Sequence, residues 1–469
     1  MGVRDHFMKM LLLRPYAGHI GKVMPLGLLA VASVLKRAGH DVRILDLRLS
    51  QQPGEDLQNT LLEFDPEYVG IGLMTIEAEY AFATAAQVKS IKKDVTVIFG
   101  GPHCSHEPQF ILHDPNVDLL VVGEAEITII ELFDALQNNT DLASVKGIAY
   151  RKNGEYVLTP ERPVIKDLDW VNQEYGLIRV EDYFQPECST DFLPATRRFM
   201  SIVTSRGCPF KCTYCHDLFG KSIQYRSPEV VLQEMEYLIE TYGVQEFQIL
   251  DDVFNVNMKR CKQILAMMAE RKLNVKICFP NGVRADFFDD EMIEIMEAAG
   301  VYRLALGIES GSSRIQKIID KKLDIAIIDN VVKKLARANI SVHGFFMLGF
   351  PSETREEMDE TIKFACNLDL ATANFSLVTP NPGTRLRETL VEEKKLQNKE
   401  FSQYTFDTVN SNESKLDSAD LLTMRKAAYR QFYLSPRRLW RIFHTTKMKG
   451  LLFGKSPFTL LWRNAFSSN

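Results

Sequence analysis

Residues 205–216 read SRGCPFKCTYCH and place Cys208, Cys212 and Cys215 within eight positions, in the pattern C-x3-C-x2-C. An apolar run, RFMSIVTS, leads into them and reads as a strand. A structural zinc site wants four closed ligands. His216 is too close to Cys215 to complete a tetrahedron readily, and no second C-x2-C pair follows. A redox disulfide would leave the third cysteine unexplained. Three inert thiols bunched in a Gly/Pro/Lys loop are a weaker reading still. An iron–sulfur cluster fits better: [4Fe–4S] normally takes four thiolates, so three leave one iron open to a substrate or cosubstrate.

The remainder of the chain is that of a folded protein. Its 469 residues suffice for two or three domains, and 45% hydrophobic with 25% charged residues argues against large-scale disorder. No apolar run reaches the roughly 18 residues a membrane-spanning helix requires, so none is expected. The run in MGVRDHFMKMLLLRP is too short for a signal peptide, and His6 breaks the myristoylation pattern. Cys104, Cys188, Cys261, Cys278 and Cys366 are scattered and read as buried thiols. A reducing, cytoplasmic setting suits both groups of cysteines.

Upstream of the cysteines, MLLLRP, DVRILD, YVGIGLM, VTVIFGG and VDLLVVGE read as strands. Between them lie helical patterns such as PLGLLAVASVLKRAG, ended by Gly39, EAEYAFATAAQVKSIKK and EITIIELFDALQ. Near-continuously apolar strands separated by helices predict an α/β doubly wound parallel sheet over 1–145. Its ligands bind at the C-terminal strand ends: Pro15 to Pro25, the Asp46 turn, Met74-Thr75, Gly100-Gly101-Pro102-His103 and Gly123-Glu124-Ala125-Glu126. Residues 146–195 read as a Pro- and charge-rich linker, with a hairpin at RKNGEYV. A second series over 196–400 has strands at RFMSIVTS, EFQILDD, VKICFP, YRLALGIES, ISVHGFFMLGF and TANFSLVTP. Helices intervene, the first capped by Ser227 and opened by Pro228. Six β-α units predict a partial (β/α)6 barrel with its site at the C-terminal strand ends. Residues 401–469 read as a mostly helical basic segment.

The cysteine spacing after the first barrel strand, with Tyr214 before the last cysteine, resembles the radical S-adenosylmethionine (SAM) superfamily. In that family the open iron chelates the amino and carboxyl groups of SAM. One electron from the cluster then cleaves SAM to methionine and a 5′-deoxyadenosyl radical, which abstracts hydrogen from substrate. The resemblance implies that Cys208, Cys212 and Cys215 hold [4Fe–4S], with Asp251 and Asp252 of LDDVF near the SAM amino group. It also places Asn281 and Arg284 of NGVRAD at the end of the third strand, Glu309 and Ser310 of GIESGS by ribose and carboxylate, and Gly349 of GFFMLGFPSET beside adenine. By residue type alone, the Asp pair also reads as a helix N-cap run, Arg284 as a surface ion pair and Gly349 as a turn.

The N-terminal part resembles the cobalamin-binding domain fused to one branch of this superfamily, through PLGLLAVASVLKRAGHDVRILD, GIGLMT, FGGPH and VVGEAE. With the cysteine motif, the resemblance spans about four-fifths of the chain. It implies cobalamin contacts at Pro25, Gly27, Met74, Thr75, Gly100, Gly101, Gly123 and Glu124. The D-x-H-x-x-G motif that supplies a cobalt-binding histidine elsewhere is absent: the chain reads DLRLS, with Arg48 at the histidine position. His103 reads as a turn residue touching the corrin rather than a cobalt ligand. The implied function is a cobalamin-dependent radical SAM enzyme that methylates an unactivated carbon of a biosynthetic intermediate, with flavodoxin or ferredoxin as electron donor. Radical cyclisation, an enzyme without cobalamin and a non-catalytic iron–sulfur or corrinoid carrier are the alternatives.

The net charge of −5 conceals an asymmetry: from Leu421 to Asn469 there are ten Lys/Arg and no Asp or Glu, leaving the rest at about −15. Basic residues interleave with Trp440, Phe443, Leu451, Leu452, Phe453 and Trp462. The tail reads as a solvated basic helix or an amphipathic membrane-surface segment; no nucleic-acid motif accompanies the charge, and no nucleic-acid partner is expected. YRQFYLSPRR resembles a subgroup holding the anaerobic magnesium-protoporphyrin monomethyl ester cyclases and hopanoid-associated radical enzymes, which implies a small-molecule, lipid or tetrapyrrole substrate.

Overall fold

The computed structural model describes residues 7–18, 21–396, 401, 404–405 and 407–448. Leu451, Leu452, Phe453 and Trp462 of the predicted tail lie outside them. The chain folds as two units, Met1–Tyr183 with Leu218–Gly220 and Lys399–Tyr404, and Phe184–Asp217 with Lys221–Asn398 and Thr405–Asn469. Among the described residues no helix is long and apolar enough to cross a membrane.

In the first unit the strands are β1 (Lys9–Arg14), β2 (Asp41–Asp46), β3 (Tyr68–Gly72), β4 (Thr96–Gly100) and β5 (Leu119–Val121). The helices are α1 (Leu26–Arg37), α2 (Pro53–Phe64), α3 (Ala78–Ile91), the short α4 (Pro102–His106) and α5 (Pro108–Ile111), and α6 (Ala125–Gln137). The five strands pair in parallel in the order β2-β1-β3-β4-β5. Strand alternation divides the core. Leu11, Leu13, Val69, Ile71, Val97 and Phe99 pack with Leu57, Leu61, Ala81 and Val88 of α2 and α3. Met10, Leu12 and Ile98 pack with Val34, Leu35, Leu132 and Phe133 of α1 and α6. Both faces being covered, the strands are apolar on both sides, which is why they read as continuous runs. The predicted hairpin is β6 (Ile148–Lys152) and β7 (Glu155–Leu158), which extend the sheet antiparallel beyond β5. Its two turn residues, Asn153 and Gly154, have φ of +54° and +85°, as a two-residue hairpin turn requires. The order reverses between β1 and β3, so the crevice there opens between the loops leaving those strands.

The second unit has six parallel strands: β8 (Phe199–Ile202), β11 (Glu246–Ile249), β12 (Lys276–Val283), β13 (Val301–Glu309), β14 (Ser341–Leu348) and β15 (Thr372–Leu377), neighbouring in sequence order. A minor antiparallel pair, β9 (Ser205–Arg206) and β10 (Gln224–Tyr225), brackets the cysteine loop. The helices are α7 (Pro228–Tyr242), α8 (Met258–Glu270), α9 (Asp290–Ala298), α10 (Ser313–Ile318), α11 (Ile328–Arg337), α12 (Arg355–Asn367) and α13 (Arg385–Glu392). As expected, Ser227 Oγ accepts from Val230 N to cap α7. This is the partial barrel, and it leaves β15 as an open edge. Helix α14 (Ser418–Tyr433) seals that edge with side chains. Tyr433 Oη accepts from Ala373 N at 2.9 Å and donates to Ala373 O at 2.7 Å, Tyr429 Oη accepts from Phe375 N at 3.2 Å, and Arg425 Nε donates to Phe375 O at 2.9 Å. An unpaired strand edge invites pairing with another chain, and these hydroxyls occupy it. Helix α15 (Pro436–Thr445) follows. Cys104, Cys188, Cys261 and Cys278 are buried as read, and Cys366 is half-buried.

Candidate cluster and cofactor site

The cysteine loop leaves β9 through Gly207, at φ +93°, where a Cβ would collide with the Ser222 carbonyl. The two aspartates at the end of β11 hold the chain entering it. Asp251 is buried and accepts from Thr204 N and Thr204 Oγ1 at 2.6 Å and from Ser205 Oγ at 2.5 Å. Burial raises its pKa, against the pull of those donors. Arg260 closes the arrangement by donating to Thr204 O at 2.8 Å. Asp252 Oδ2 accepts from Gly207 N at 2.8 Å. Neither aspartate caps a helix; Asn257 caps α8.

Within the loop, Thr213 N donates to Ile319 O at 3.0 Å, Thr213 O accepts from Leu386 N at 2.8 Å, and Arg385 donates to Lys211 O. Two cations grip its aromatic rings. The Arg284 guanidinium stands 3.8 Å from the Phe210 ring centroid, forks onto Asp286 at 2.9 and 2.6 Å, and donates to Lys321 O at 3.0 Å. Arg284 is buried, 6% exposed, while its partner Asp286 reaches the surface. Lys321 Nζ donates to Glu309 Oε1 at 2.9 Å and to Tyr214 Oη at 3.1 Å. Burial, the largest single influence, lowers the lysine's pKa; the Glu309 charge, the nearby Cys212 and the hydrogen bond to Glu309 together raise it above the usual value. Burial, then Glu309, drives Tyr214 well above the usual phenol range. Glu309 itself holds φ +67°, and a Cβ at Gly307 would stand 3.1 Å from both Glu309 Oε1 and Lys321 Nζ. The glycine in β13 and the left-handed turn after it together make room for this pair.

Sequence reading missed Lys321. It offered two adjacent lysines, and nothing local says that Lys321 turns inward while Lys322 keeps a side chain 76% exposed. The other expected positions have these partners. Asn281, exposed, donates Nδ2 to Leu250 O at 2.8 Å. Ser310 is buried, its Oγ 3.1 Å from Thr361 Oγ1 and accepting from Ser312 N at 3.1 Å. Gly349 turns at φ +96° and donates its N–H to Glu353 at 2.7 Å; a Cβ there would lie 2.9 Å from Leu421.

The three thiols lie close enough to influence one another. Cys208 is half-buried, Cys212 buried and Cys215 exposed but densely surrounded. Desolvation, then Cys212 and Cys208, pushes the Cys215 thiol up to about 12, and desolvation raises Cys208.

In the first unit the loop after β1 is stapled by two arginines. Arg48 is buried, paired with Glu77, and donates to Pro15 O at 3.4 Å and Gly21 O at 2.9 Å. Arg14 donates to Val23 O, to Gly21 O at 3.3 Å and to Asp46 at 3.3 Å. Arg48 thus holds the loop from the position where other cobalamin proteins carry their histidine. Met74 is 53% exposed after β3, and Thr75 Oγ1 lies 3.2 Å from His103 Nδ1. His103 is buried, with the Phe401 and Phe110 rings 4.5 and 6.5 Å away. Gly101 sits at φ +110°, where a Cβ would come 2.8 Å from Leu73 O. Gly100 ends β4, Pro25 precedes α1, and Gly27 and Gly123 have no atom within 4 Å of a Cβ position. Glu124 is buried and accepts from Ile165 N at 2.6 Å.

Residues 202–365 match the Radical SAM superfamily and residues 19–133 the B12 binding domain. An uncharacterised methyltransferase of Pyrococcus horikoshii is 34% identical over 419 residues, covering 88% of this chain and 89% of that protein. The chain belongs to the cobalamin-binding radical SAM enzymes. An anaerobic magnesium-protoporphyrin IX monomethyl ester cyclase of Rubrivivax gelatinosus is 26% identical over 412 residues, covering 86% of this enzyme and 73% of its own length. The radical SAM methyltransferase TsrM of Kitasatospora setae, solved with cobalamin and a [4Fe–4S] cluster, shares the fold at TM-score 0.72 and 20% identity, covering 83% of this enzyme and 78% of that chain.

The cofactors of this radical SAM enzyme are therefore [4Fe–4S], SAM and cobalamin, and its residues fit them. Three thiols share one loop, a buried ammonium stands beside it, and at the C-terminal strand ends of the first unit Gly27 and Gly123 leave open space where side chains would stand.

Proposed function

We propose that this enzyme methylates an unactivated carbon of a small biosynthetic intermediate, with Cys208, Cys212 and Cys215 holding the cluster and leaving one iron for SAM. When bound, the cluster supplies the electron that cleaves SAM and cobalamin carries the methyl group. The chain's own residues position and shield. Arg284 and Lys321 fix the cysteine loop through Phe210 and Tyr214. Lys321 is the cation for the SAM carboxylate, and Glu309 accepts from the ribose. Asp252, half-buried and already fixed by Gly207 N, faces the amino group. The loops after β1, β3, β4 and β5, with Pro25, Gly27, Met74, Thr75, Gly100, Gly101, Gly123 and Glu124, receive cobalamin. A flavodoxin or ferredoxin delivers the electron.

The observation that carries this reading is the buried Lys321–Glu309 pair against Tyr214: a desolvated charge pair at the rim of a three-cysteine loop marks a site suited to a charged ligand. Anaerobic incubation of the cluster- and cobalamin-loaded enzyme with reduced flavodoxin, methyl-labelled SAM and an extract of small metabolites tests it. Label should enter a metabolite with release of 5′-deoxyadenosine. Deoxyadenosine without label transfer would favour the cyclase-like reading, which the similarity to the protoporphyrin ester cyclase supports. Failure to form deoxyadenosine would overturn both.

A further inference from the structure

Helix α15 buries an arginine beside Ile442. A surface helix ordinarily buries its apolar stripe and turns its charges to water. Here Arg438 faces inward, 7% exposed, donating to Leu370 O and, at 3.0 Å, to Cys366 O in the last turn of α12 and Leu368 O just past it. Arg437 and Arg441 reach Asp369 at 2.5 and 2.9 Å and bind the helix to the body from its flank. The face turned away from Arg438 carries Leu439, 42% exposed, and Trp440, 63% exposed, with Leu434, 59% exposed, just before the helix. Trp440 lies stacked on His444, the centroids 4.0 Å apart. Three guanidiniums thus hold an apolar face outward, two of them on Asp369, in a stretch whose own sequence from 421 to 469 carries ten Lys/Arg and no Asp or Glu.

We propose that this face of α15 docks on an anionic lipid surface. Charge and residue type select that partner over a protein groove. Trp and Leu suit the boundary between headgroups and acyl chains, and an excess of cations with no acid along 421–469 suits anionic headgroups. The sequence beyond the described helix, with Leu451, Leu452, Phe453 and Trp462 among Lys449, Lys455 and Arg463, continues the same chemistry. The docking stands apart from the catalytic reading and brings the enzyme to membrane-dissolved compounds.

Full-length protein is sedimented with phosphatidylcholine vesicles and with vesicles one-quarter phosphatidylglycerol. Binding to the anionic vesicles alone, weakened by raised salt, is expected. Leu439→Ser with Trp440→Ser should lower the vesicle partition coefficient about tenfold while leaving the melting transition in place, since both side chains already face water. Three results would overturn the proposal: no binding to anionic vesicles, binding unchanged in the double variant, or a wild-type dimer that the double variant dissolves, which would make a second copy the occupant.

Discussion

Lys321→Met tests the centre of the site. The Lys321 and Glu309 side chains are each 9% exposed and 2.9 Å apart. Removing the ammonium strands a buried carboxylate, which costs about 3–5 kcal/mol. For a unit of this size each kcal/mol moves the melting transition by about 2–4 °C, so the apoprotein should lose roughly 6–20 °C. Adding Glu309→Gln removes the stranded charge, and the new amide oxygen still accepts from its surroundings, so most of that loss should return. SAM binding should not return. The double variant lacks a charge-assisted hydrogen bond to the SAM carboxylate, about 1.5–3 kcal/mol, which is a 10- to 100-fold rise in the SAM dissociation constant. Differential scanning fluorimetry of the apoproteins and equilibrium dialysis of SAM against the cluster-loaded proteins read the two effects separately. A Lys321→Met protein that melts within about 2 °C of wild type, less than 1 kcal/mol, would refute the buried pair. A folded double variant that binds SAM as wild type does would refute the carboxylate assignment.

Cys212→Ala should abolish cluster assembly, read as loss of iron and of the brown absorption after anaerobic reconstitution. Tyr433→Phe leaves the N–H and C=O of Ala373 unpaired at the buried edge of β15; about 1–3 kcal/mol should disappear from urea unfolding. Glu353 is held up to about 8 by burial against an ordinary value of 4.5. The folded state therefore keeps a proton the unfolded chain releases, and stability from this group is full below pH 4.5 and falls as pH rises through about 8. Glu353→Gln should flatten that decline, giving a higher melting temperature than wild type at pH 9 and a similar one at pH 4. Gly101→Ala forces a Cβ to 2.8 Å from Leu73 O at φ +110°; retained cobalamin, measured by absorbance after gel filtration, should drop while the second unit's melting transition stays.

Strand and helix order was readable because both sheets are covered on two faces, which makes each strand a short apolar run and each helix a separate amphipathic stretch. The cysteine loop was readable because three thiols at fixed spacing have few chemical uses. The sealing of β15 was not: YRQFY reads as helix, and only the register of α14 against the strand shows that two tyrosine hydroxyls replace a missing neighbour. Nor was the direction of α15, whose arginines read as a solvated face until Asp369 and the carbonyls beyond α12 are placed beneath them.

The polar residues at the barrel's strand ends divide by where their hydrogen bonds go. Asp251 gives its acceptors to Thr204 and Ser205, Ser310 faces Thr361, and Arg284 is engaged by Asp286, Lys321 O and Phe210. All three shape the cysteine loop or its supports. A ligand that entered would have to break those bonds, each worth about 0.5–3 kcal/mol. Glu309 and Lys321 differ, because their partners are each other and a phenol, and a ligand carrying a carboxylate and hydroxyls replaces both without leaving a buried charge alone. Recognition of SAM should therefore fall on that pair, on Asp252 and on backbone groups. Substitutions at Asp251 or Arg284 should act through cluster assembly and loop order before they act on SAM affinity.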